Sequence, residues 1–227
     1  MRRIGVDYTR RVFATVPPPS QRLLVFARLP ELGKVKTRLA ADVGETRALE
    51  VYEAMLRDLL ANIGTSTPDL EIEILWAPTE TANGEKLRRA FGSHATAMQT
   101  GEGLGDRLSM ALSERFFFHR TEQIVVIGVD DPSLSRELID HAFALLESVE
   151  YVLGPAADGG YYLLGCRALS YDPSVFNDIE WGSSTVLRTT LARIAALERT
   201  VALLPRRQDI DTAADLEQYV AQGTFAP

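Results

Sequence analysis

Short apolar runs alternate with amphipathic segments along most of the chain. Residues 22–27 and 124–129 are almost wholly hydrophobic, which is typical of strands that are buried on both faces. Between these runs, residues 45–63 carry apolar side chains at helical spacing, so an amphipathic helix is predicted there. The alternation of strand and helix patterns predicts an α/β fold with a mostly parallel sheet and helices on both faces.

The rest of the chain follows the same alternation. Further strands are predicted at 71–76, 94–99, 151–154, 161–165 and 200–204, and further helices at 84–91, 104–118, 134–147, 184–197 and from 213. Thr212 and Asp215 have the spacing of a capping box, which predicts where the last helix begins. Three prolines at 17–19 indicate a boundary, so residues 1–21 are predicted to form an N-terminal extension of a single domain at 22–227.

Composition narrows the functional classes. The 227 residues are 46% hydrophobic, which is enough for a sizeable core, and they carry a net charge of -7. Such an acidic chain is not expected to be a nucleic-acid binder or to anchor on an anionic membrane surface. No apolar run reaches the ~18 residues of a membrane span. The single cysteine, Cys166, excludes an intrachain disulfide framework. A cytoplasmic protein is therefore expected.

A basic loop follows the first predicted strand. Gly33, Lys34, Lys36 and Arg38 lie in the stretch LPELGKVKTRL, at the carboxyl end of that strand, where open α/β sheets bind ligands. Cations and free backbone N–H groups in such a loop could bind phosphate, whereas a solvated charged loop is the alternative. The stretch is not a Walker A loop, because Arg28 stands where that motif has its first glycine.

The turn after the central strand carries two adjacent carboxylates, Asp130 and Asp131. Carboxylates at the end of a buried strand repel each other unless they are solvated, capped or bound to a cation, and oxygen ligands suit Mg²⁺ or Mn²⁺. We therefore predict that Asp130 binds a metal, whereas the alternative is that Asp131 only caps the next helix. Asp209 and Asp211 add two acids before the last helix, one of them expected to be only a helix-terminal charge.

A glycine-rich turn precedes the predicted helix at 104–118. Gly101, Gly103 and Gly105 do not match the dinucleotide fingerprint, so NAD binding is disfavoured. The turn could still bring backbone against a base or ribose. An ordinary turn before a helix is the alternative.

Asp158 lies in a predicted hairpin loop within the stretch GPAADGGYYLLG. A hairpin accounts for the two glycines, and a site that admits an acceptor substrate would also account for the tyrosines beside this acid. Trp181 could line the same pocket, although Ser183 or Ser184 next to it is better explained as a helix N-cap.

Taken together, these segments resemble a known bacterial family. The stretches FARLPELGKVKTRL, QTGEGLGDRL, VVIGVDDPSL, YVLGPAADGGYYLLG and RRQDIDTAADL occur in the order seen in GT-A-fold nucleotide-diphospho-sugar transferase-like proteins. Members are often labelled arsenosugar-biosynthesis-type glycosyltransferases, and they are distantly similar to molybdenum-cofactor and phospholactate nucleotidyltransferases. The resemblance covers residues 22–221 and implies a single Rossmann-like GT-A domain.

The resemblance also implies a nucleotide pocket, a divalent metal and an acceptor side. Asp130 corresponds to the first acid of the family's D-x-P turn, and Asp211 to the second metal ligand of the nucleotidyltransferase relatives, with Mg²⁺ or Mn²⁺ as the metal. Asp158 would be an acceptor-side acid, a further ligand or a general base, and Lys36 would act on the phosphates. The nucleotide-binding residues implied are Ala27, Arg28, Gly33, Lys34, Lys36, Thr37, Arg38, Gln99, Gly105, Asp106 and Arg107. The acceptor-site residues implied are Gly159, Gly160, Tyr161 and Trp181.

The leading hypothesis is a metal-dependent glycosyltransferase that takes a nucleotide-activated sugar and a small-molecule acceptor. The metal and the basic loop would neutralise the diphosphate leaving group, and Asp158 could deprotonate the acceptor hydroxyl. One alternative is a nucleotidyltransferase that joins a nucleoside triphosphate to a phosphorylated acid or sugar and releases pyrophosphate. Another is a nucleotide-binding protein without catalytic activity. The chain departs from the family at Asp131, because the turn often reads D-S-P.

Overall fold

The computed structural model describes residues 20–78, 91, 94–223 and 225–227. The described strands are β1 Gln21–Ala27, β2 Leu70–Trp76, β3 Ala95–Met98, β4 Gln123–Ile127, β5 Tyr151–Pro155, β6 Tyr161–Arg167 and β7 Val201–Leu203. They form one sheet in the order β3-β2-β1-β4-β6-β5-β7. Only β6 runs antiparallel to its neighbours, β4 and β5, and the other pairs are parallel. The predicted mostly parallel sheet is confirmed.

Helices cover both faces of this sheet, as predicted. The described helices are α1 Thr37–Val43, α2 Glu45–Ile63, α3 Leu104–Phe117, α4 Arg136–Leu145, α5 Val186–Ala196 and α6 Ala213–Ala221. Because successive strand residues point to opposite faces, Leu23 packs with Met55 of α2 on one face, and Leu24 packs with Leu112 of α3 on the other. Each face therefore has its own hydrophobic core.

Most predicted boundaries lie within a few residues of the observed ones. The capping box is present, because the Thr212 side chain accepts from Asp215 N–H and the Asp215 carboxylate accepts from Thr212 N–H. The sequence pattern does not predict α1, since Leu39 is the one buried residue in its seven and no apolar period results. All but the last residue of the helix predicted at 84–91, and most of the extension at 1–21, lie outside the described residues. None of the described helices is long and apolar enough to cross a membrane.

The carboxyl ends of β1, β2, β3 and β4 meet at one edge of the sheet, because these strands are parallel. The basic loop follows β1, Gln99 follows β3 and Asp130 follows β4 at this edge. Since β6 is antiparallel to β4, the turn between β5 and β6 also lies there and brings Asp158 to the same edge. The segment before α6 joins them, as Ile210 N–H donates to the Asp130 carbonyl at 2.9 Å.

Candidate functional site

An open cavity of about 580 Å³ lies at this edge of the sheet. The predicted site residues that line it are Ala27, Arg28, Lys34, Lys36, Thr37, Arg38, Gln99, Arg107, Asp130, Asp158, Gly160, Tyr161, Trp181 and Asp211. Four other predicted residues are not in its lining, namely Gly33, Gly105, Asp106 and Gly159. The fold therefore brings segments from most of the chain into one place, while the role of each residue stays a prediction.

Lys36 is at the centre of the polar contacts in the cavity. Its backbone is left-handed, with φ 46° and ψ 48°, directly before α1. The ammonium Nζ lies 2.5 Å from Asp130 Oδ1, 2.5 Å from the Ile210 carbonyl oxygen and 3.1 Å from Asp211 Oδ1. Burial alone would lower the pKa of Lys36, but the charges and hydrogen bonds of the two acids outweigh burial and raise it. The ammonium is therefore held charged between two carboxylates.

Three further cations around β1 face the cavity with fewer contacts. The Arg38 side chain is 69% exposed and donates to Asp211 Oδ2 at 3.2 Å. Lys34 and Arg28 are also exposed. The Arg28 backbone is fixed by the Tyr52 hydroxyl, which accepts from its N–H and donates to its carbonyl, each at 2.9 Å. The basic loop and its strand thus present positive charge to a ligand from one side of the cavity.

Asp209 is a residue of this cavity to which the sequence pattern assigned no role. Its Oδ1 is buried and has no hydrogen-bond partner within the described part of the chain. Burial, followed by the charges of Asp130, Asp158 and Asp211, raises the pKa of Asp209 to about 7. The Asp-Ile-Asp spacing could have indicated this placement, because residues two apart in an extended segment point to the same side.

The acids of the cavity offer oxygen ligands alone. Among the residues that the structure describes, no group of three His, Cys, Asp or Glu side chains could hold a metal ion as placed. The two predicted ligands, Asp130 and Asp211, instead share the Lys36 ammonium. The unpartnered oxygen of Asp209 beside them nevertheless fits Mg²⁺ or Mn²⁺, which prefer carboxylate oxygens. Metal binding here stays a prediction.

Asp131 does not cap the following helix, so the capping alternative is wrong. The N-cap of α4 is Ser135. The Asp131 side chain is 0% exposed, lies 2.5 Å from Arg207 Nε and accepts from the Tyr219 hydroxyl at 3.1 Å. Because Arg207 and Tyr219 flank the segment before α6, this buried network fixes the turn after β4 against that segment. The network therefore fixes the position of Asp130 relative to Asp209 and Asp211.

Gln99 and the glycine turn lie on the same side of the cavity as the basic loop. The Gln99 side chain is buried, and its Nε2 donates to the Leu75 carbonyl at 2.7 Å. Arg107 Nε donates to the Gly101 carbonyl at 3.1 Å. The turn needs glycine at this point, because Gly101 has φ 127° and a Cβ there would lie 2.8 Å from the Asp106 Cβ.

The hairpin turn that carries Asp158 packs against the start of α5. A Cβ at Gly159, which has φ 94°, would lie 2.3 Å from the Ser184 carbonyl oxygen, so only glycine allows this approach. The N-cap of α5 is Thr185 and makes no side-chain capping bond. The alternative of Ser183 or Ser184 as the N-cap is therefore wrong.

Tyr161 and Trp181 form an aromatic wall beside this hairpin. Their ring centroids are 6.3 Å apart, and the planes make an angle of 77°. Trp181 also lies against the first turn of α3, where a Cβ at Gly105 would come within 2.8 Å of the indole Nε1. Gly105 therefore contributes by making room for the wall instead of lining the cavity.

Comparison with known proteins identifies the family. The family model described as "Uncharacterized protein conserved in bacteria (DUF2064)" matches residues 60–183, more than half of the chain. A crystal structure from Desulfovibrio desulfuricans G20, provisionally named a nucleotide-diphospho-sugar transferase, is 34% identical. It superposes with a TM-score of 0.83 and covers 87% of this chain and 85% of that chain. The predicted nucleotide-diphospho-sugar transferase fold is thereby confirmed.

Two further proteins carry transferase names. A "3-phospho-D-glycerate guanylyltransferase" from Phenylobacterium zucineum (strain HLK1) is 30% identical over 134 residues, which are 59% of this chain and 61% of that relative. The chain thus spans less than two thirds of that relative. A cytidylyltransferase from Leptospira borgpetersenii serovar Hardjo-bovis (strain JB197) shares the fold at 15% identity, with a TM-score of 0.57 over 92% of this chain and 89% of that chain. These names agree with the predicted class of enzyme, a transferase. The family match shows that the chain belongs to the bacterial DUF2064 family.

Proposed function

We propose that the chain transfers a nucleotidyl group from a nucleoside triphosphate to the hydroxyl of a small acceptor. The observation that carries the proposal is the separation of charge across the cavity. Arg28, Lys34, Lys36 and Arg38 lie together around the end of β1, and Asp158 lies across the sheet edge from them. A polyphosphate can therefore bind on one side while an acid faces the other substrate.

The number of cations favours a triphosphate over a nucleotide sugar. A triphosphate carries more negative charge than a sugar diphosphate, and charge-assisted contacts to lysine and arginine are the strong ones for phosphate. Three of the four cations are exposed enough to meet such a ligand. The guanylyltransferase relative, at 30% identity, is named for transfer of the same kind of group.

The reaction requires one bond to form and one to break at phosphorus. The acceptor oxygen would bond to the α-phosphorus while the bond from that atom to its bridging oxygen breaks, and pyrophosphate would leave. Lys34, Lys36 and Arg38 would neutralise the negative charge that grows on the pyrophosphate. Asp158, which is exposed on the other side, would take the proton of the acceptor hydroxyl.

Asp130, Asp209 and Asp211 would hold Mg²⁺ or Mn²⁺ in this proposal once their side chains turn toward a common ion, since the three do not share one as placed. When bound, the ion would supply positive charge that polarises the phosphoryl oxygens. Before the ion binds, the Lys36 ammonium lies between Asp130 and Asp211 and keeps the two acids close together. The loop after β1 would therefore both bind phosphate and position the acids.

Glycosyl transfer from a nucleotide sugar is the second candidate. The Desulfovibrio desulfuricans structure, 34% identical, has the name that favours it. Tyr161 and Trp181 also favour it, because their flat apolar faces could contact a sugar ring. In that reaction the acceptor oxygen would bond to the anomeric carbon, and a nucleoside diphosphate would leave.

Product analysis separates the two candidates. The full chain is incubated with Mn²⁺, with each nucleoside triphosphate or nucleotide sugar, and with a panel of alcohols as acceptors. Pyrophosphate supports nucleotidyl transfer, whereas a nucleoside diphosphate supports glycosyl transfer. Binding of a nucleotide without turnover of any pair would instead support a nucleotide-binding protein without catalytic activity.

Variants connect the activity to the cavity. Asp130→Ala should lower turnover at least about a hundredfold while the melting temperature changes little, because this acid lies at the end of a strand and is half exposed. Asp140→Ala is the matched control, since this acid lies on α4 outside the cavity and, within the described part of the chain, pairs with Arg136 of the same helix. Wild-type turnover in the Asp130 variant would contradict the proposal.

A further inference from the structure

We infer that the acceptor is a neutral, ring-containing alcohol such as a sugar, and not a phosphorylated or otherwise anionic compound. The inference rests on the proposed function and deepens it by naming the chemical class of the second substrate. It follows from how charged and aromatic side chains divide between the two sides of the cavity. Strand β4 marks the division, because β1, β2 and β3 lie on one side of it and β6, β5 and β7 on the other.

The cations of the cavity all lie on the side of β1. We call this the nucleotide side, and the part lined by residues 156–186 the acceptor side. The described cations that line the cavity are Arg28, Lys34, Lys36, Arg38 and Arg107. They come from the end of β1, the loop after it and the first turns of α1 and α3. Arg107 lies in the turn that Trp181 contacts, but its guanidinium points back and donates to the carbonyls of Gly101 and Glu102.

The acceptor side has one charged residue among the described residues that line it, Asp158. Its other lining residues are small, aliphatic or aromatic, apart from Ser183. Two arginines of the segment before α6 could have supplied positive charge, but the side chains of both donate their hydrogen bonds to groups that do not line the cavity. Arg207 Nε lies 2.5 Å from Asp131 Oδ2, and Arg206 Nη2 donates to the Ala157 carbonyl at 2.6 Å. Neither of them lines the cavity.

An anionic acceptor would therefore meet negative charge without compensation. Its phosphate or carboxylate would face Asp158, which no described cation of the acceptor side compensates. Placing like charges together in a partly desolvated site disfavours binding, because each charged group loses water without gaining a counter-ion. The charge distribution thus selects against the phosphorylated acid named for the guanylyltransferase relative.

The aromatic wall supplies the favourable contact for a neutral ring. Trp181 is half buried against the first turn of α3, and Tyr161 stands nearly perpendicular to it. A ring that contacts this wall could direct a hydroxyl to Asp158. Asp158 Oδ1 accepts from the Gly160 N–H at 2.8 Å, which orients the carboxylate. In the transfer step the hydroxyl proton would pass to Asp158 while the acceptor oxygen bonds to the α-phosphorus.

Intrinsic fluorescence provides the test, because the chain has 2 tryptophans in different environments. Trp76 is 1% exposed, whereas Trp181 lines the cavity, so a ligand on the acceptor side should change the emission of Trp181. The probes are methyl β-D-glucopyranoside against D-glucose 6-phosphate, D-mannose against D-mannose 6-phosphate, and 3-phospho-D-glycerate. We expect the neutral member of a pair to bind at least tenfold more tightly than its phosphorylated partner. The response should be lost in Trp181→Phe.

A variant that adds a positive charge to the acceptor side should reverse the preference for neutral sugars. Ser183→Arg introduces a cation on the acceptor side and should improve binding of the phosphorylated sugars at least tenfold. Ser184→Arg is the matched control, because Ser184 is exposed and does not line the cavity. Ser184→Arg should keep the wild-type preference for neutral over phosphorylated sugars.

Different results would contradict the inference about the acceptor and the proposed nucleotidyl transfer. Tighter binding of the phosphorylated sugars or of 3-phospho-D-glycerate, or no response to any neutral compound, overturns the inference. Donor binding is measured separately, as the rise in melting temperature with each nucleoside triphosphate and Mn²⁺. A triphosphate shift together with a preference for anionic acceptors overturns the inference alone. Absence of any triphosphate shift overturns the proposed function.

Discussion

Lys36 Nζ lies 2.5 Å from Asp130 Oδ1, although the two residues are 94 positions apart in the chain. The same ammonium lies 3.1 Å from Asp211 Oδ1, so one cation compensates two carboxylates from separate segments. A divalent cation would be attracted to the same place, because the potential of two adjacent carboxylates is most negative between them. The lysine and a metal are therefore expected to compete for these acids.

Replacing the lysine tests this competition. In Lys36→Met, Mn²⁺ should raise the melting temperature at least about 2 °C more than in the wild type, since the ammonium no longer neutralises the acids. Thermal denaturation with Mn²⁺ and with EDTA measures the difference. Lys34→Met is the control, because Lys34 is an exposed lysine of the same loop with no contact to either acid. Equal Mn²⁺ shifts in all three proteins would contradict the competition.

The buried carboxyl of Asp209 predicts a pH dependence of stability. Its pKa is about 7 in the folded chain, against an ordinary value of 3.8. Between these pH values the folded chain keeps a proton that the unfolded chain has lost, so this group's contribution to stability falls as pH rises from about 4 to about 7. Asp209→Asn has no such proton. Its stability relative to the wild type should therefore rise by at least about 1 kcal/mol, or about 2–4 °C, between pH 5 and pH 8.

These denaturation curves should be recorded in EDTA, so that metal binding does not add to the difference. Asp140→Asn serves as the control, because Asp140 is an exposed acid on α4. A variant at Asp209 whose stability relative to the wild type does not rise between pH 5 and pH 8 would mean that the carboxylate is compensated in the folded chain.

The ion pair between Arg207 and Asp131 predicts strong coupling. Arg207→Gln leaves a carboxylate with 0% exposure without its counter-charge, which should lower the free energy of unfolding by about 3–5 kcal/mol. Asp131→Ser removes the charge and places in the turn the residue often seen in the family's D-S-P motif. The double variant should therefore be more stable than Arg207→Gln alone. Urea denaturation of the four proteins measures the coupling, and additive effects would exclude it.

Two glycines of the acceptor side offer a matched pair. Gly159 and Gly182 both have positive φ, 94° and 85°, so alanine strains the backbone at each. A Cβ at Gly182 meets nothing within 4 Å, whereas one at Gly159 lies 2.3 Å from the Ser184 carbonyl oxygen. We expect a loss of about 1 kcal/mol for Gly182→Ala from strain, and about 1–3 kcal/mol more for Gly159→Ala from overpacking.

The two glycine variants should also differ in turnover. Asp158 is the neighbour of Gly159 in the hairpin turn, so displacement of the turn should lower kcat in Gly159→Ala and leave Gly182→Ala near the wild type. Chemical denaturation and steady-state kinetics on both variants measure the two effects. Similar stabilities for the two variants would show that the hairpin can move away from Ser184 at little cost.

The sheet and the position of the cavity could be predicted because each has a local signal. Continuous apolar runs mark β1 and β4 as central strands, and the carboxyl ends of parallel strands meet at one edge. The basic loop and Asp130 follow directly from that rule. The capping box likewise places the start of α6 through two residues that are close in sequence.

The contacts inside the cavity could not be predicted, because they join residues that are far apart in the chain. Nothing near Lys36 indicates that its ammonium meets Asp211, 175 positions later. The burial of Asp131 depends on Arg207 in the same way, so a local pattern could suggest only a helix cap. The placement of Asp209 in the cavity could have been predicted, because it lies two positions before Asp211 and their side chains therefore point to the same side of an extended segment.

The three contacts of the Lys36 ammonium also set the order in which the site can be completed during synthesis. The lysine leaves the ribosome early, whereas Ile210 and Asp211, two of its three partners, are added 174 and 175 residues later. Strands β1, β4, β5 and β6 are all made before that segment exists. A nascent chain can therefore assemble most of its sheet while the centre of its cavity still lacks a wall, which is completed only once residues 210 and 211 have been made.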